Sequence, residues 1–174
     1  TLQTLLEMVG VPYTGTGRLA SAMAMDKDIA KRLFREAGVP TADWTMARID
    51  AAEAERRFGW PLVVKPSKEG STVGLTVVKA AGDFAAAVEL AARYDDEVMV
   101  EQFVPGDIFH VDSIVWNGQV VRAVSSRYGL PPFTVSHGGG VFSSRLVARA
   151  SDDDHALQSL NSTVLRGFGM ASGV

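Results

Sequence analysis

Cysteine is absent from the 174 residues. That absence rules out disulfides, thiolate metal sites and a cysteine nucleophile, and it suits a reducing compartment. Long apolar runs are missing too: no window approaches the 18 or more apolar residues of a membrane span, and the first residues lack the basic-then-apolar layout of a signal peptide. The cytoplasm is therefore the expected location, with no membrane partner. Positive charge is not in excess. The formal charge is −3, which argues against nucleic acid as a partner, because that needs a basic face. Histidine is scarce, with three in the chain, and His137 has no second histidine or carboxylate at ligand spacing, so it does not read as a metal ligand. No repeats or low-complexity tracts occur.

What is present suffices for a folded core, since 47% of the residues are hydrophobic. Both ends read as cut: Thr1 starts inside an apolar-periodic helix, and residues 167–174 stop where a strand begins, so the chain is expected to be an internal fragment. Helices are expected over 18–25 and 26–37, the second capped by Asp26 and closed by Gly38. A strand is expected over 42–49, a capped helix from Asp50 to about Phe58, strands over 62–65 and 73–78, and a helix over 83–94 with Phe84, Val88 and Ala92 on one face. After residue 101 the character changes. Strands over 109–116 and 119–126 flank Asn117-Gly118, the strongest short hairpin signal. A triple glycine (138–140) precedes a strand over 141–147, and Ser151 opens a helix to about Arg166. The sequence thus divides into a tail and linker (1–17), an α+β part with a loop (18–100) and a second part rich in hairpins (101–174).

The chemistry concentrates in Pro61-Leu62-Val63-Val64-Lys65-Pro66-Ser67-Lys68-Glu69-Gly70-Ser71-Thr72-Val73-Gly74. An apolar strand delivers one lysine into a glycine-rich loop. A buried ammonium needs an anionic partner, which a phosphate oxygen would supply; the plainer reading is a lysine snorkelling to water or paired with Glu69. Glu69, Gly70, Ser71, Thr72, Val73 and Gly74 provide glycines, hydroxyls and free amides of the kind that cradle phosphates, or else an ordinary hairpin turn. It is not a Walker A loop, because no Gly-Lys-Ser/Thr opens a helix. Lys27, next to the Asp26 cap, reads as a solvated lysine or as one placed at a helix's positive end for a phosphate. Glu101, Gln102, Phe103 and Val104 end a second strand in a segment suited to an adenine edge, and equally to an ordinary strand end. Asp152, Asp153 and Asp154 read as helix-start acids.

Residues 6–27, 31–40, 61–74 and 94–106 resemble, in order and spacing, the D-alanine:D-alanine ligases of the ATP-grasp superfamily. The resemblance implies an α+β ATP-grasp fold in which two subdomains clasp ATP. It implies an ATP-dependent carboxylate–amine ligase working through an acyl-phosphate, with ATP and magnesium as cofactors and small carboxylates and amines as substrates. A homodimer is a compatible assembly. Lys27 and Lys65 match the two phosphate-contacting lysines, 69–74 the loop that closes over phosphates, and 101–104 the adenine hinge. Gln102 stands where these ligases often carry lysine. Ile108 falls at the ribose carboxylate position, so Asp107 has to substitute. The magnesium ligands are expected beyond Val174, which leaves the fragment inactive alone.

After Gly106 the likeness changes. The Tyr-Asp-Tyr-Glu-Ala-Lys-Tyr type of segment is missing, and residues 110–121 look more like ATP-grasp amino-acid ligases and carbamoyl-phosphate synthase or biotin carboxylase relatives. A bicarbonate-phosphorylating enzyme and a non-catalytic ATP-binding module are the alternatives. Arg127 and the turn at 137–140 read either as neighbours of the acyl acceptor or as hairpin structure.

Overall fold

A computed structural model describes residues 1–173. In chain order the elements are α1 (Leu2–Met8), α2 (Arg18–Met25), α3 (Lys27–Glu36), β1 (Trp44–Met46), α4 (Ala51–Phe58), β2 (Leu62–Pro66) and β3 (Thr76–Val78). There follow α5 (Phe84–Ala92), β4 (Val98–Gln102), β5 (Phe109–Trp116), β6 (Gln119–Tyr128), α6 (Pro132–Gly138), β7 (Ser144–Leu146) and α7 (Asp152–Gly167). Two compact units are interleaved along the chain. One comprises Met25–Asp28 and Thr41–Gly106; the other comprises Thr1–Ala24, Ile29–Pro40 and the chain from Asp107 onward.

The first unit is built on an antiparallel sheet of order β1-β4-β2-β3. Alternation along β2 sends Leu62 and Val64 to one face, where they meet Val78, Val98 and Val100 beneath Ala54, Phe84, Ala87 and Ala91. Leu62, Val64, Val100, Ala54 and Ala91 are fully buried. Each such aliphatic side chain the size of Val or Leu stabilises by roughly 1.5–3 kcal/mol. The strands are therefore stiff, and the opposite face carries whatever they are built to hold. α4 starts as the sequence reading expects, with the Asp50 carboxylate accepting from the Glu53 amide at 2.8 Å.

Three expectations need correction in this unit. The strand expected over 42–49 is shorter, Trp44–Met46, with one further backbone bond to β4 at each end, from Gln102 N to Asp43 O and from Ala47 N to Val98 O. The strand expected from residue 73 begins at Thr76, because left-handed φ values at Ser71 (52°), Thr72 (61°) and Gly74 (65°) coil the approach into consecutive turns. In α5 the buried residues are Phe84, Ala87 and Ala91, with Val88 only packing at the margin and Ala92 exposed. The apolar stripe is a rotation away from the one expected.

In the second unit β5, β6 and β7 form an antiparallel sheet in that order. Asn117 and Gly118 have φ of 49° and 74°, both positive as a two-residue hairpin of the primed type requires. α7 is capped by Ser151, whose hydroxyl accepts from the Asp154 amide, and it carries three aspartates in its first turn. It lies on the sheet through polar contacts: Asn161 Nδ2 donates to Ser113 Oγ at 2.8 Å, and Gln158 Nε2 to Ser125 Oγ at 2.9 Å. A small core gathers Ala20, Ala30 and Phe168, with Phe34 tilted against Phe168 at 5.6 Å. α6 was not expected; Pro132 sits in its first turn, where the missing amide costs nothing. The strand expected over 141–147 is shorter, Ser144–Leu146, with flanking backbone bonds from Gly129 N to Ser143 O and from Val147 N to Ser125 O.

Candidate functional site

Register decides what the polar face of the first sheet presents. Lys65 lies opposite Met99, and Glu101 lies opposite both Val63 and Trp44, so Lys65 and Glu101 share the face turned away from the helical core. They form an ion pair with side chains only 17% and 12% exposed. The partner of Lys65 is thus Glu101, not the Glu69 suggested by sequence proximity. At this burial the pair matters: an ammonium left without a counter-charge there would carry a heavy desolvation cost.

Lys27 approaches from the start of α3. Its backbone amide donates to Ser67 O at 3.1 Å, its Nζ donates to the same carbonyl at 3.1 Å, and Nζ also donates to Glu69 O. Asp26 caps the helix start by accepting from the Asp28 amide at 3.1 Å. The solvated-lysine reading of Lys27 therefore does not hold, because its ammonium clips the loop after β2. Burial, and next the charge of Lys65, hold the Lys27 ammonium below the ordinary lysine range, with Asp95, Glu69 and Glu101 opposing. Two lysines from separate elements thus feel each other across one polar patch.

The loop has the backbone the chemistry asks for. Val73 N bonds to Gly70 O and Leu75 N to Thr72 O, while the amides of Gly70, Ser71, Thr72 and Gly74 donate no hydrogen bond among the described residues. Free amides in a left-handed turn form a concavity for an anion. Of the two glycines, Gly74 is the one the fold requires: a Cβ there would lie 2.8 Å from Tyr94 Cδ2 and 2.9 Å from Pro66 Cγ, whereas at Gly70 it would meet open space. The loop is tied down by Asp95, which accepts from Lys68 N at 2.8 Å, and by a Lys68–Glu97 pair at 3.1 Å. Ser67 Oγ, fully buried, has no hydrogen-bond partner among the described residues. The clip from Lys27, the Asp95 anchor and the orphan Ser67 hydroxyl had no signal in the sequence, since each depends on tertiary placement.

At the end of β4, Gln102 lies opposite Leu62 and donates through its amide to Asp43 O at 2.9 Å. Phe103 and Val104 leave the sheet, and Val104 is exposed. In the other unit Arg127 Nη2 donates to Asp107 Oδ1 at 2.8 Å. His137 stacks on Phe133 at 4.3 Å and bonds its carbonyl, consistent with a structural role. Among the described residues no group of three or more His, Asp or Glu stands ready to hold a metal ion.

An antiparallel sheet that offers paired lysines, a glycine loop and a polar strand end is the arrangement of the ATP-grasp class, and the chain has that fold. The family described as "D-ala D-ala ligase C-terminus" matches residues 33–128. The chain is 50% identical over 109 residues to D-alanine--D-alanine ligase of Paracidovorax citrulli, covering 62% of this chain and 33% of that protein. It is 51% identical over 109 residues to the Ralstonia pickettii enzyme of the same name, with the same coverage. Among solved structures it resembles the VanG D-Ala:D-Ser ligase of Enterococcus faecalis, with a TM-score of 0.78 and 27% identity, over 98% of this chain and 52% of that one. The D-alanine-D-alanine ligase of Coxiella burnetii gives a TM-score of 0.77 at 25% identity, over 98% and 48%. The chain belongs to the D-Ala:D-Ala ligase C-terminal family. It spans about a third of the length of the curated relatives it matches.

Proposed function

We propose that the chain is the ATP-binding part of an ATP-dependent carboxylate–amine ligase of the D-alanine:D-alanine type, acting in the cytoplasm on small carboxylate and amine substrates. The observation that carries this reading is the convergence of Lys27 and Lys65 beside a loop with unbonded amides. In such a ligase the γ-phosphoryl group leaves the β-phosphate oxygen for a carboxylate oxygen, and the amine then attacks the acyl carbon and expels phosphate.

The chain's own residues account for the positioning. Lys65, held on a stiff strand, exchanges its contact with Glu101 for a phosphate oxygen. Lys27, already short of its ordinary proton affinity, gains most from a nearby polyanion. The amides of Gly70, Ser71, Thr72 and Gly74 offer donors at fixed directions, so the phosphates are oriented by groups that need little reorganisation. Glu69 and Val73 complete that loop. Glu101, Gln102, Phe103 and Val104 take the adenine edge, and Asp107 the ribose. In this reading 18–100 and 101–174 are the two subdomain portions, and 1–17 is the tail of a preceding domain. Magnesium supplies charge neutralisation in such transfers. Among the described residues no group of three or more carboxylates or imidazoles is gathered to hold it, and no step is assigned to it.

The test is ATP binding by calorimetry. Lys65→Ala should weaken it by about 1–3 kcal/mol, the scale of a charge-assisted hydrogen bond, while Lys79→Ala, at an exposed position outside the loop, leaves it unchanged. Equal affinity in Lys65→Ala sinks the assignment. In a chain extended to the relatives' full length, ADP release stimulated by D-amino acids supports the ligase, and stimulation by bicarbonate in their place overturns it.

A further inference from the structure

The register of the second sheet sets two arginines side by side. Arg127 on β6 is the direct partner of Arg145 on β7, and of Phe109 on β5, so the three form a row on one face. Directly opposed residues on adjacent antiparallel strands have Cβ atoms roughly 4.5–5.5 Å apart, and like charges there repel. A carboxylate relieves only one of them: Asp107 bonds Arg127 at 2.8 Å, while the Arg145 side chain makes no hydrogen bond or ion pair among the described residues. Asp154 accepts from Ser125 Oγ at 2.7 Å, from the Ala150 amide at 3.0 Å and from Gln158. Of the two guanidinium groups in the row, one is thus paired with a carboxylate and the other is not.

We infer that Arg127 and Arg145 form an oxyanion site that takes a carboxylate or phosphoryl group, distinct from the lysine and loop residues of the nucleotide reading and not dependent on it. Guanidinium is suited to this, since its planar fork matches either group with two parallel hydrogen bonds. Phe109 supplies an apolar flank, so an anion carried on a small organic body fits better than a free ion.

The experiment is a titration of the ¹⁵N-labelled 174-residue chain with sodium phosphate, and separately with sodium acetate, at constant ionic strength, following arginine Nε–Hε resonances. The Arg145 peak is identified by its loss in Arg145→Gln. It should shift and saturate with at least one anion, and Arg127→Gln should raise the midpoint of that curve at least threefold. Saturation with phosphate alone assigns a phosphoryl site, and with acetate a carboxylate site. The inference is overturned by a peak that does not saturate with either anion, by an Arg149 peak that follows the same curve, or by an unchanged midpoint in Arg127→Gln. Lys65→Met separates the two readings, since it should impair ATP binding and leave the Arg145 curve as in the unaltered chain.

Discussion

Lys65 and Glu101 offer the sharpest test of how the first unit is built. Substituting Lys65 by methionine takes the directly bonded cation from a carboxylate only 12% exposed, leaving the Lys27 charge to act on it from farther off; removing one partner of a buried pair costs about 3–5 kcal/mol, against about 0–1 for a surface pair. Glu101→Leu should cost a similar amount for the mirror reason. The double substitution replaces both charges by apolar groups beside Val63 and Met99, their direct neighbours across the ladder, and should be far less harmful than either single change. The signature is thus strong non-additivity, with a coupling of about 3 kcal/mol. Urea unfolding of the 174-residue chain reads it. Two of the three tryptophans, Trp44 and Trp60, belong to this unit, so their fluorescence follows its loss. With a slope of about 1–2 kcal/mol per molar urea, each single variant should move the midpoint down by roughly 2 M. Single variants within about 0.5 kcal/mol of the unaltered chain, adding linearly in the double, would refute the argument that this is a desolvated pair.

Gly74→Ala should destabilise by about 2 kcal/mol or more, combining a left-handed φ of 65° with a Cβ thrust to 2.8 Å from Tyr94; Gly70→Ala should stay within about 0.5 kcal/mol, and thermal melts that rank them the other way contradict the loop geometry. Lys27 should leave a mark on alkaline stability. Its folded proton affinity lies below the 10.5 of a free lysine, so between the two values the unfolded chain holds a proton that the folded chain has released. Stability attributable to Lys27 therefore rises with pH across that window and levels off above 10.5. Lys27→Met should remove that slope from unfolding free energies measured against pH, and superimposable curves would show that Lys27 is not buried as described.

What could be read in advance, and what could not, divides along the range of the interactions. Local chemistry was legible. The Asp50 cap, the Asn117-Gly118 turn, the α7 start at Ser151 and the apolar alternation of β2 each depend on residues within a turn of one another. Lys65 stood out for the same reason, as a charge on an apolar strand. Its partner did not, because Glu101 is 36 positions away and reaches the same face only through the β2–β4 register, set after a helix has crossed between them. Glu69, four positions along, was the natural guess for a reader limited to neighbours.

The loop shows a subtler failure. Both glycines suggested backbone freedom, yet Ser71 and Thr72 carry left-handed φ values alongside Gly74, and Gly70 carries none in that region. Two non-glycine residues held there store strain of about 1–3 kcal/mol each. The surroundings offset it: Lys27 clips the Ser67 and Glu69 carbonyls, and Asp95 fixes the Lys68 amide. The lysine read as a surface residue is thus one of the groups that hold the loop in its strained form. A variant that loses Lys27 would therefore lose the restraint that holds the loop's amides in place.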